Sequence, residues 1–449
     1  MRIAIATLGC KINQYDSAVI QSRLAGHSFV PFDDPADCYV INTCTVTDRA
    51  DWEARQLVRR AKRLNPGAKV LVTGCYAQVS AREVAEVTGV DFVVGLNRLD
   101  DLIRYVESAP GETPRLAVSD VKQERGVAVL GTRALPGHTR AFLKIQEGCN
   151  YTCTYCIIPT ARGLSRSVPP PQVLEQVREL AEAGYKEIVL TGIHLGGYGQ
   201  DLKLKIDLAA LVELIAASGL IARLRLSSLD PREVPDRLLD VIARSGSICA
   251  HLHICAQAGD DEVLKRMRRN YDTAYYRDLL DRVRERLPEA SLGSDIIVGF
   301  PGESDAQFES SLEYFAALPL TYFHVFPYSA RRGTPAAGLA DHVPGYVKKE
   351  RARRMRELGA QKKRDFYAGF LGRRTRVLIE DKVDKASGRR RGFSRNYLAV
   401  AVAGADNFSN RELDVRLDGY WNGRLSGSIA QDETATLEGG GASTAVGAD

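Results

Sequence analysis

Residues 147–163 read EGCNYTCTYCIIPTARG, with Cys149, Cys153 and Cys156 inside eight positions. A Cys-x3-Cys-x2-Cys loop offers three thiolates and no fourth. Zinc sites take four nitrogen or sulfur ligands, commonly as two pairs, and neither a second CxxC nor a nearby His pair accompanies this loop. A cubane 4Fe-4S cluster takes four thiolates. Three would leave one iron without a protein ligand, the kind of open position that marks catalytic metal sites. Zinc completed by a distant His, or three structural cysteines, are the alternatives. Tyr151, Thr152 and Thr154 between the thiols weigh against plain burial.

The loop follows an apolar run, AFLKIQEGC, and further strand-like runs come after it: YKEIVLTGIHLGGYG, LIARLRLSSLDP, SICAHLHICAQAG, ASLGSDIIVGFPGES and LTYFHVFPYSA. Helical stretches such as PPQVLEQVRELAEAG, VLKRMRRNYDTAYYRDLLDRVRERL and DAQFESSLEYFAAL separate them. This alternation predicts a parallel αβ barrel, complete or partial, with the cysteine loop after its first strand. No GxGxxG follows that strand, so a dinucleotide fold is not indicated.

Upstream, RIAIATLG, CYVINTC, AKVLVTGC and DFVVG read as strands and NQYDSAVIQSRLA and RADWEARQLVRRAKRLN as helices, a βαβ series with a parallel sheet. Cys10 follows the first of these strands, and Cys44 and Cys75 end the next two. Ligands of open α/β sheets collect at the carboxyl ends of the strands, so these three thiols are expected to meet at one edge. Downstream, TRVLIEDKV, GFSRNYLAVAV and ELDVRLDGYWNGRLSGSI predict a small β-barrel. The fold class is therefore α/β, with an N-terminal parallel domain at 1–107, a linker with one or two short strands at 108–138, a barrel core at 139–367, a β-barrel at 368–431 and a disordered tail at 432–449.

The 449 residues are 45% hydrophobic and 26% charged, an ordinary globular balance that calls for two to four domains. No run of eighteen apolar residues occurs, and the opening MRIAIATLGCKINQ turns polar too soon for a signal peptide, so a cytoplasmic chain without a membrane partner is expected. Thiols stay reduced there, and clustered cysteines more often bind metal. The odd count of 9 cysteines also argues against a closed disulfide set. The net charge of +5 is unevenly spread: residues 331–395 hold 20 Lys/Arg against 7 Asp/Glu, leaving 41 against 49 elsewhere. A basic C-terminal third suggests a polyanionic partner, although VKKERARRMRELGAQKKRDF also reads as a solvated helix face.

CNYTCTYC after the first barrel strand resembles the loop of the radical S-adenosylmethionine (SAM) superfamily. TLGCKINQYDS, INTCTVTDRAD and VTGCYAQ resemble the N-terminal domain of the methylthiotransferases, and the likeness runs from Met1 to about Ile429. The resemblance implies two 4Fe-4S clusters, one on Cys149, Cys153 and Cys156, which chelates SAM and cleaves it to a 5′-deoxyadenosyl radical, and one on Cys10, Cys44 and Cys75, which carries the sulfur. One SAM methylates that sulfur; another gives the radical that removes the hydrogen at adenine C2. TLGCKINQYDS and VLTGIHLGGYG look most like the branch acting on N6-threonylcarbamoyladenosine at tRNA position 37. The branch acting on isopentenyladenosine tends to read Gln-Met-Asn after its first Cys, and a third branch acts on a ribosomal-protein aspartate.

For SAM, the resemblance places Tyr155 near the adenine, Gly192 near the amino group, Ser228 on the ribose, and Ile297 and Gly299 against the adenine; no acidic residue follows Gly192, as the family's GGE-like motif has. The partners implied are the tRNA anticodon loop, a reductant such as flavodoxin or ferredoxin, and a sulfur source. The terminal β-barrel resembles a TRAM domain, with the helix around Lys348 to Arg364 and SGRRRGFSRNY as phosphate contacts and Phe393 and Tyr397 either stacking on bases or filling the barrel core. Asn13 and Asn42 would tune the second cluster or cap helices, with capping favoured for Asn13. In HLHICAQAG, Cys255 and Ala258 replace the proline and serine common in the family. Cys255, Cys38 and Cys249 read as packing, and His251 and His253 as sharing one strand face without a metal role. A non-catalytic iron–sulfur RNA-binding protein, and a one-cluster radical enzyme with redox thiols at its N-terminus, are the competing readings.

Overall fold

The computed structural model describes residues 1–108, 115–127 and 139–430. The predicted tail at 432–449 and most of the predicted linker lie outside the described residues.

Six parallel strands open the chain: β1 (Arg2–Thr7), β2 (Ser28–Val30), β3 (Cys38–Thr43), β4 (Lys69–Gly74), β5 (Phe92–Val94) and β6 (Arg115–Ala117), in the order β2-β1-β3-β4-β5-β6. β6 is a short strand of the kind expected within 108–138, and it pairs into this sheet. β3 and β4 are buried along their whole lengths, the continuous apolar run expected of central strands covered on both faces. The strand order reverses between β1 and β3, which is the topological switch point where such sheets bind ligands.

The second unit holds β7 (Arg140–Glu147), β8 (Arg166–Ser167), β9 (Glu187–Gly192), β10 (Arg223–Leu226), β11 (Ser228–Leu229), β12 (His251–Ile254), β13 (Ser291–Val298) and β14 (Tyr322–Pro327). They form two four-stranded sheets, β10-β9-β7-β8 and β11-β12-β13-β14. β10 and β11 are separated only by Ser227, so the two sheets run on as one curved wall. Among the described residues β14 pairs only with β13, and the barrel is open at that side. Strand alternation sorts its faces. Leu143, Ile145, Ile188, Leu190, Leu224, Leu252 and Leu292 join the large core under the outer helices. Their neighbours Lys144, Glu187, Arg225, His253 and Asp295 face inward, so the lumen is polar.

The stretch 263–287, read as one helix, is two, Asp261–Arg266 and Thr273–Arg286. Asp272 starts the second by accepting from Tyr275 N at 2.8 Å, a cap whose extended backbone is incompatible with a continuous helix. The break matters below because it delivers Arg269.

β15 (Arg374–Val383), β16 (Arg390–Ser394), β17 (Ala399–Ala403), β18 (Glu412–Trp421) and β19 (Arg424–Ile429) close into a barrel. It sits at the amino-terminal end of the larger barrel's strands, held by a buried charge set. Glu187 receives Arg223 and Arg225 at 2.8 Å each, and the two guanidinia go on to the carbonyls of Phe393, Ser394 and Arg395. Both arginines hold Glu187 at a pKa of about 2 against the opposing push of burial.

Candidate active site

The N-terminal thiols gather at the switch point. Each outer cysteine opens a helix directly after a strand: Cys10 precedes Lys11–Arg23, and Cys75 begins Cys75–Val79. Gly9 and Gly74 make the turns possible, both with φ of 95°, in the left-handed region. A Cβ on Gly9 would stand 2.6 Å from Cys44 Cβ, so the β1 turn lies directly on the β3 cysteine. Asn13 is inside its helix rather than a cap, correcting that expectation: its amide donates to Leu8 O at 2.8 Å and Thr43 O at 3.0 Å, tying the two cysteine turns together. Asn42 donates to Asn13 O and Ser17 Oγ at 2.9 Å each, not to sulfur.

The second triplet occupies the loop after β7. Cys149 N donates to Gly163 O at 3.1 Å and Cys156 N to Cys153 O at 3.0 Å, which curls the loop. Burial pushes the Cys75 and Cys156 thiols up to about 12, and the Cys44 thiol upward as well. Buried thiols of this kind become thiolates only with a cation beside them. All nine cysteines are free. Among the described residues, only His253, Asp295 and His324 bring three metal-ligating atoms within 4.8 Å of one another. Neither cysteine triplet has all three sulfurs within that distance. Thiolate donors in threes fit an iron–sulfur cluster with one iron left open.

Two arginines that sequence reasoning passed over reach the sulfurs. Arg162, six residues beyond Cys156, is fully buried and donates through Nε to Cys75 Sγ at 3.3 Å. Its other nitrogens bond Glu147 at 2.9 Å, Asn13 Oδ1 at 2.6 Å and Asp16 at 3.0 Å. Lys144 completes the set with Asp16 and Glu147 at 2.8 Å each. One side chain from beyond the barrel's cysteine loop thus touches a cysteine of the other domain, Cys75. Arg269, in the break between the two helices, donates to Cys153 Sγ at 3.1 Å and pairs with Asp230. No local motif marks either residue, because both act across long sequence separations.

His194 and Glu233 pair at 2.5 Å, and Tyr151 bonds Glu233 at 3.1 Å while its ring lies 4.3 Å from the imidazole. Burial would lower the His194 pKa, but Cys149 and Glu233 outweigh it and hold it near 10.

A cavity of about 220 Å3 opens beside Cys156, lined by Val46 and Thr47, which follow Cys44, and by Tyr155, Cys156 and Ile157, with Asp295, Ile297 and Phe326 among its walls. Of the residues singled out for SAM, Tyr155 and Ile297 line it. The others do not. Gly192 packs against Gln146, which leaves 3.0 Å for a Cβ. Ser228 is exposed while Ser227 beside it is buried, and Gly299 N bonds Glu303 at 2.5 Å in a tight turn. Strand-end position alone did not tell which of them faces the cavity.

The lumen below is filled by side chains from several strands. Asp295 meets His253 at 3.3 Å and His324 at 3.1 Å, and Cys255 Sγ lies 3.5 Å from Asp295. Cys255 is therefore in a polar chamber and not in apolar packing; Cys249 is buried 3.9 Å from Glu187, and Cys38 is in the apolar core. His251 stacks on Tyr397 at 4.2 Å, and Tyr397 on Phe393 at 4.9 Å. Those two aromatics plug the large barrel; they neither fill the small barrel's core nor stand free. Outside, a groove of about 590 Å3 runs between the helix Gly345–Ala368 and the β-barrel, lined by Tyr322, Phe323, His324, Arg356, Lys363, Tyr397 and Arg424. Much of that helix's charge is internally used, for example Arg351 on Glu303 at 2.7 Å and Arg354 on Glu309 at 2.5 Å. The basic surplus available to a polyanion is smaller than the sequence count.

An open parallel barrel with a three-cysteine loop after its first strand defines a radical SAM enzyme. Residues 143–315 match the model of the radical SAM superfamily, and residues 2–95 match that of the uncharacterized protein family UPF0004. The threonylcarbamoyladenosine tRNA methylthiotransferase of Bacillus subtilis is 40% identical, covering 92% of this chain and 93% of its own, and that of Aquifex aeolicus is 38% identical, covering 90% and 97%. The tRNA-2-methylthio-N(6)-dimethylallyladenosine synthase of Carboxydothermus hydrogenoformans is 34% identical, covering 92% and 96%. In fold, the radical SAM methyltransferase TsrM of Kitasatospora setae matches with a TM-score of 0.57 at 16% identity, over 75% of this chain and 76% of that one. The chain belongs to the radical SAM tRNA methylthiotransferase family, whose members transfer a sulfur-containing group. No helix among the described residues is long and apolar enough to cross a membrane.

Proposed function

We propose that this enzyme adds a methylthio group at C2 of N6-threonylcarbamoyladenosine at position 37 of tRNA. The observation that carries the reading is Arg162, just past the barrel's cysteine loop, bonded to Cys75 of the N-terminal triplet, near a cavity lined by Cys156 and by Val46 and Thr47 just past Cys44. Cys149, Cys153 and Cys156 would hold the 4Fe-4S cluster that binds SAM, and Cys10, Cys44 and Cys75 the second. Together these groups supply one-electron cleavage of SAM and a transferable sulfur. The chain's own residues do the rest. Arg269 and Arg162 place positive charge and N–H donors on the sulfurs, which favours the thiolate forms and stabilises added negative charge. Tyr155 and Ile297 wall the SAM side of the cavity. The N-terminal domain lies over the loop and excludes water from a reactive species.

A stretch of single-stranded anticodon loop, with its bases unstacked, would enter by the aromatic and basic groove beside Gly345–Ala368. A low-potential donor of the flavodoxin or ferredoxin type, a sulfur source and a cytoplasmic setting complete the proposal. The preference for threonylcarbamoyladenosine over isopentenyladenosine is supported by the higher identity to relatives named for the former.

The test is mass spectrometry of tRNA nucleosides from cells with and without the gene. The methylthio form of threonylcarbamoyladenosine should vanish on deletion and return on complementation, but not with Cys153→Ala. Loss of methylthio-isopentenyladenosine instead would assign the enzyme to the other tRNA branch. No change in either nucleoside would favour a protein substrate.

A further inference from the structure

Strands β12, β13 and β14 bring three ligating side chains to one point on the inner face of the barrel. Along β12 and β13, His253 lies beside Gly293; along β13 and β14, Asp295 lies beside His324. Gly293 and Asp295 are two apart on one strand and share a face. The glycine makes the room, because a Cβ there would stand 2.7 Å from the His253 ring and would collide with Tyr322. His253 Nε2 lies 3.3 Å and His324 Nδ1 3.1 Å from the same oxygen of Asp295, Oδ1, and the three donor atoms all fall within 4.8 Å of one another.

A carboxylate that merely accepted from two imidazoles would leave both nitrogens satisfied. His253 is not satisfied. It is 4% exposed, and its Nε2 makes no hydrogen bond although Asp295 Oδ1 is near enough, so the two atoms are not aligned with each other. A nitrogen and an oxygen that sit side by side without facing each other are placed as two ligands facing a third atom. Around a tetrahedral ion with bonds of about 2.0–2.1 Å, neighbouring donors lie roughly 3.3 Å apart. Two of the three edges here already have about that length, and the exposed His324 ring can turn to close the third. Cys255 supports the arrangement from behind: its Sγ lies 3.7 Å from His253 Nδ1 and 3.5 Å from Asp295 Oδ2. With Nε2 on a metal, Nδ1 carries the proton and donates to Cys255 Sγ, the kind of outer contact that fixes the tautomer of a ligating histidine.

We propose that His253, Asp295 and His324 bind one divalent transition-metal ion, with zinc the best match to two imidazole nitrogens and a carboxylate. Three protein ligands leave a coordination position open, as in metal sites that exchange a ligand and unlike closed structural ones. That position is reached from two sides, since Asp295 lines the cavity beside Cys156 and His324 lines the outer groove. A ligand that brings an oxygen donor into the lumen by either route can take it. The site uses none of the six cysteines of the two triplets and does not depend on which nucleoside is the substrate.

The experiment measures zinc binding to the cluster-loaded full chain, kept anaerobic, in competition with a chelator of known affinity, with zinc and iron counted by elemental analysis after desalting. Wild type should keep one zinc per chain in addition to its iron. His324→Gln and Asp295→Asn should each bind zinc at least about 100-fold more weakly at unchanged iron content, more than the loss of an outer neighbour costs. His324 is exposed, so its variant decides the matter if Asp295→Asn fails to fold. X-ray absorption at the zinc edge should show nitrogen and oxygen neighbours at about 2.0–2.1 Å and no sulfur. Wild type that keeps no zinc overturns the proposal. Zinc held as tightly by His324→Gln as by wild type also overturns it, because the ion then sits elsewhere. A sulfur neighbour at about 2.3 Å does the same, because it puts the ion on cysteine.

Discussion

Replacing Glu187 by Gln removes one negative charge from the buried joint between the two barrels, leaving Arg225 without a carboxylate partner and Arg223 with Glu412. Glu187 is fully buried, and its two arginines hold its pKa at about 2, compared with an ordinary 4.5. That difference corresponds to about 3 kcal/mol, in line with the roughly 3–5 kcal/mol lost when one member of a buried ion pair is removed. The loss falls on the docking of the small barrel, because both arginines also bond the 393–395 carbonyls. A chain of several domains does not unfold in one step, so the readout is local: hydrogen–deuterium exchange of peptides covering 223–229 and 390–400. The variant should exchange there about 100-fold faster at pH 7, with little change in β3 and β4. A depressed carboxylate pKa contributes stability above its unfolded value and loses it as pH falls through the folded value. The difference between wild type and variant should therefore be constant from pH 8 to 5 and close between about 4.5 and 2. A second arm, Glu187→Met with Arg225→Met, should be milder than Glu187→Met alone, since it removes charge from both sides. Exchange in Glu187→Gln within about twofold of wild type at pH 7, or a double variant worse than the sum of its parts, would refute the reasoning.

Iron analysis of anaerobically loaded protein should give about eight irons per chain, falling to about four in Cys75→Ala and in Cys153→Ala, with only the former still producing 5′-deoxyadenosine from SAM. Gly9→Ala forces a side chain at φ 95° against Cys44, and should shed iron as Cys75→Ala does while keeping SAM cleavage. Arg162→Met strips Glu147 and Asp16 of a buried partner; it should destabilise the domain joint by about 3–5 kcal/mol, seen as faster proteolysis, and adding Glu147→Gln should recover part of that. Arg269→Met should slow SAM cleavage about 10- to 100-fold, with Lys restoring some of it, because the residue supplies charge and a hydrogen bond to Cys153 Sγ.

The sequence by itself determined the architecture and the two thiol sets. Strand periodicity marked the parallel sheets, and cysteines at strand ends identified the ligand edge, because in α/β folds the carboxyl ends of strands converge whatever the loops do. The three-cysteine loop was legible because its ligands fall within eight consecutive positions. What tertiary structure alone decided is everything that acts across long separations. Arg162 reaches Cys75 over 87 positions, and Arg269 reaches Cys153 over 116. Neither has a periodicity or spacing to announce it. The helix break before Asp272 that aims Arg269, the use of Tyr397 as a barrel plug, and the neutralising of the basic helix by Glu303 and Glu309 follow from which surfaces meet. Charge counted along a chain cannot distinguish an arginine paired inside the fold from one left for a partner.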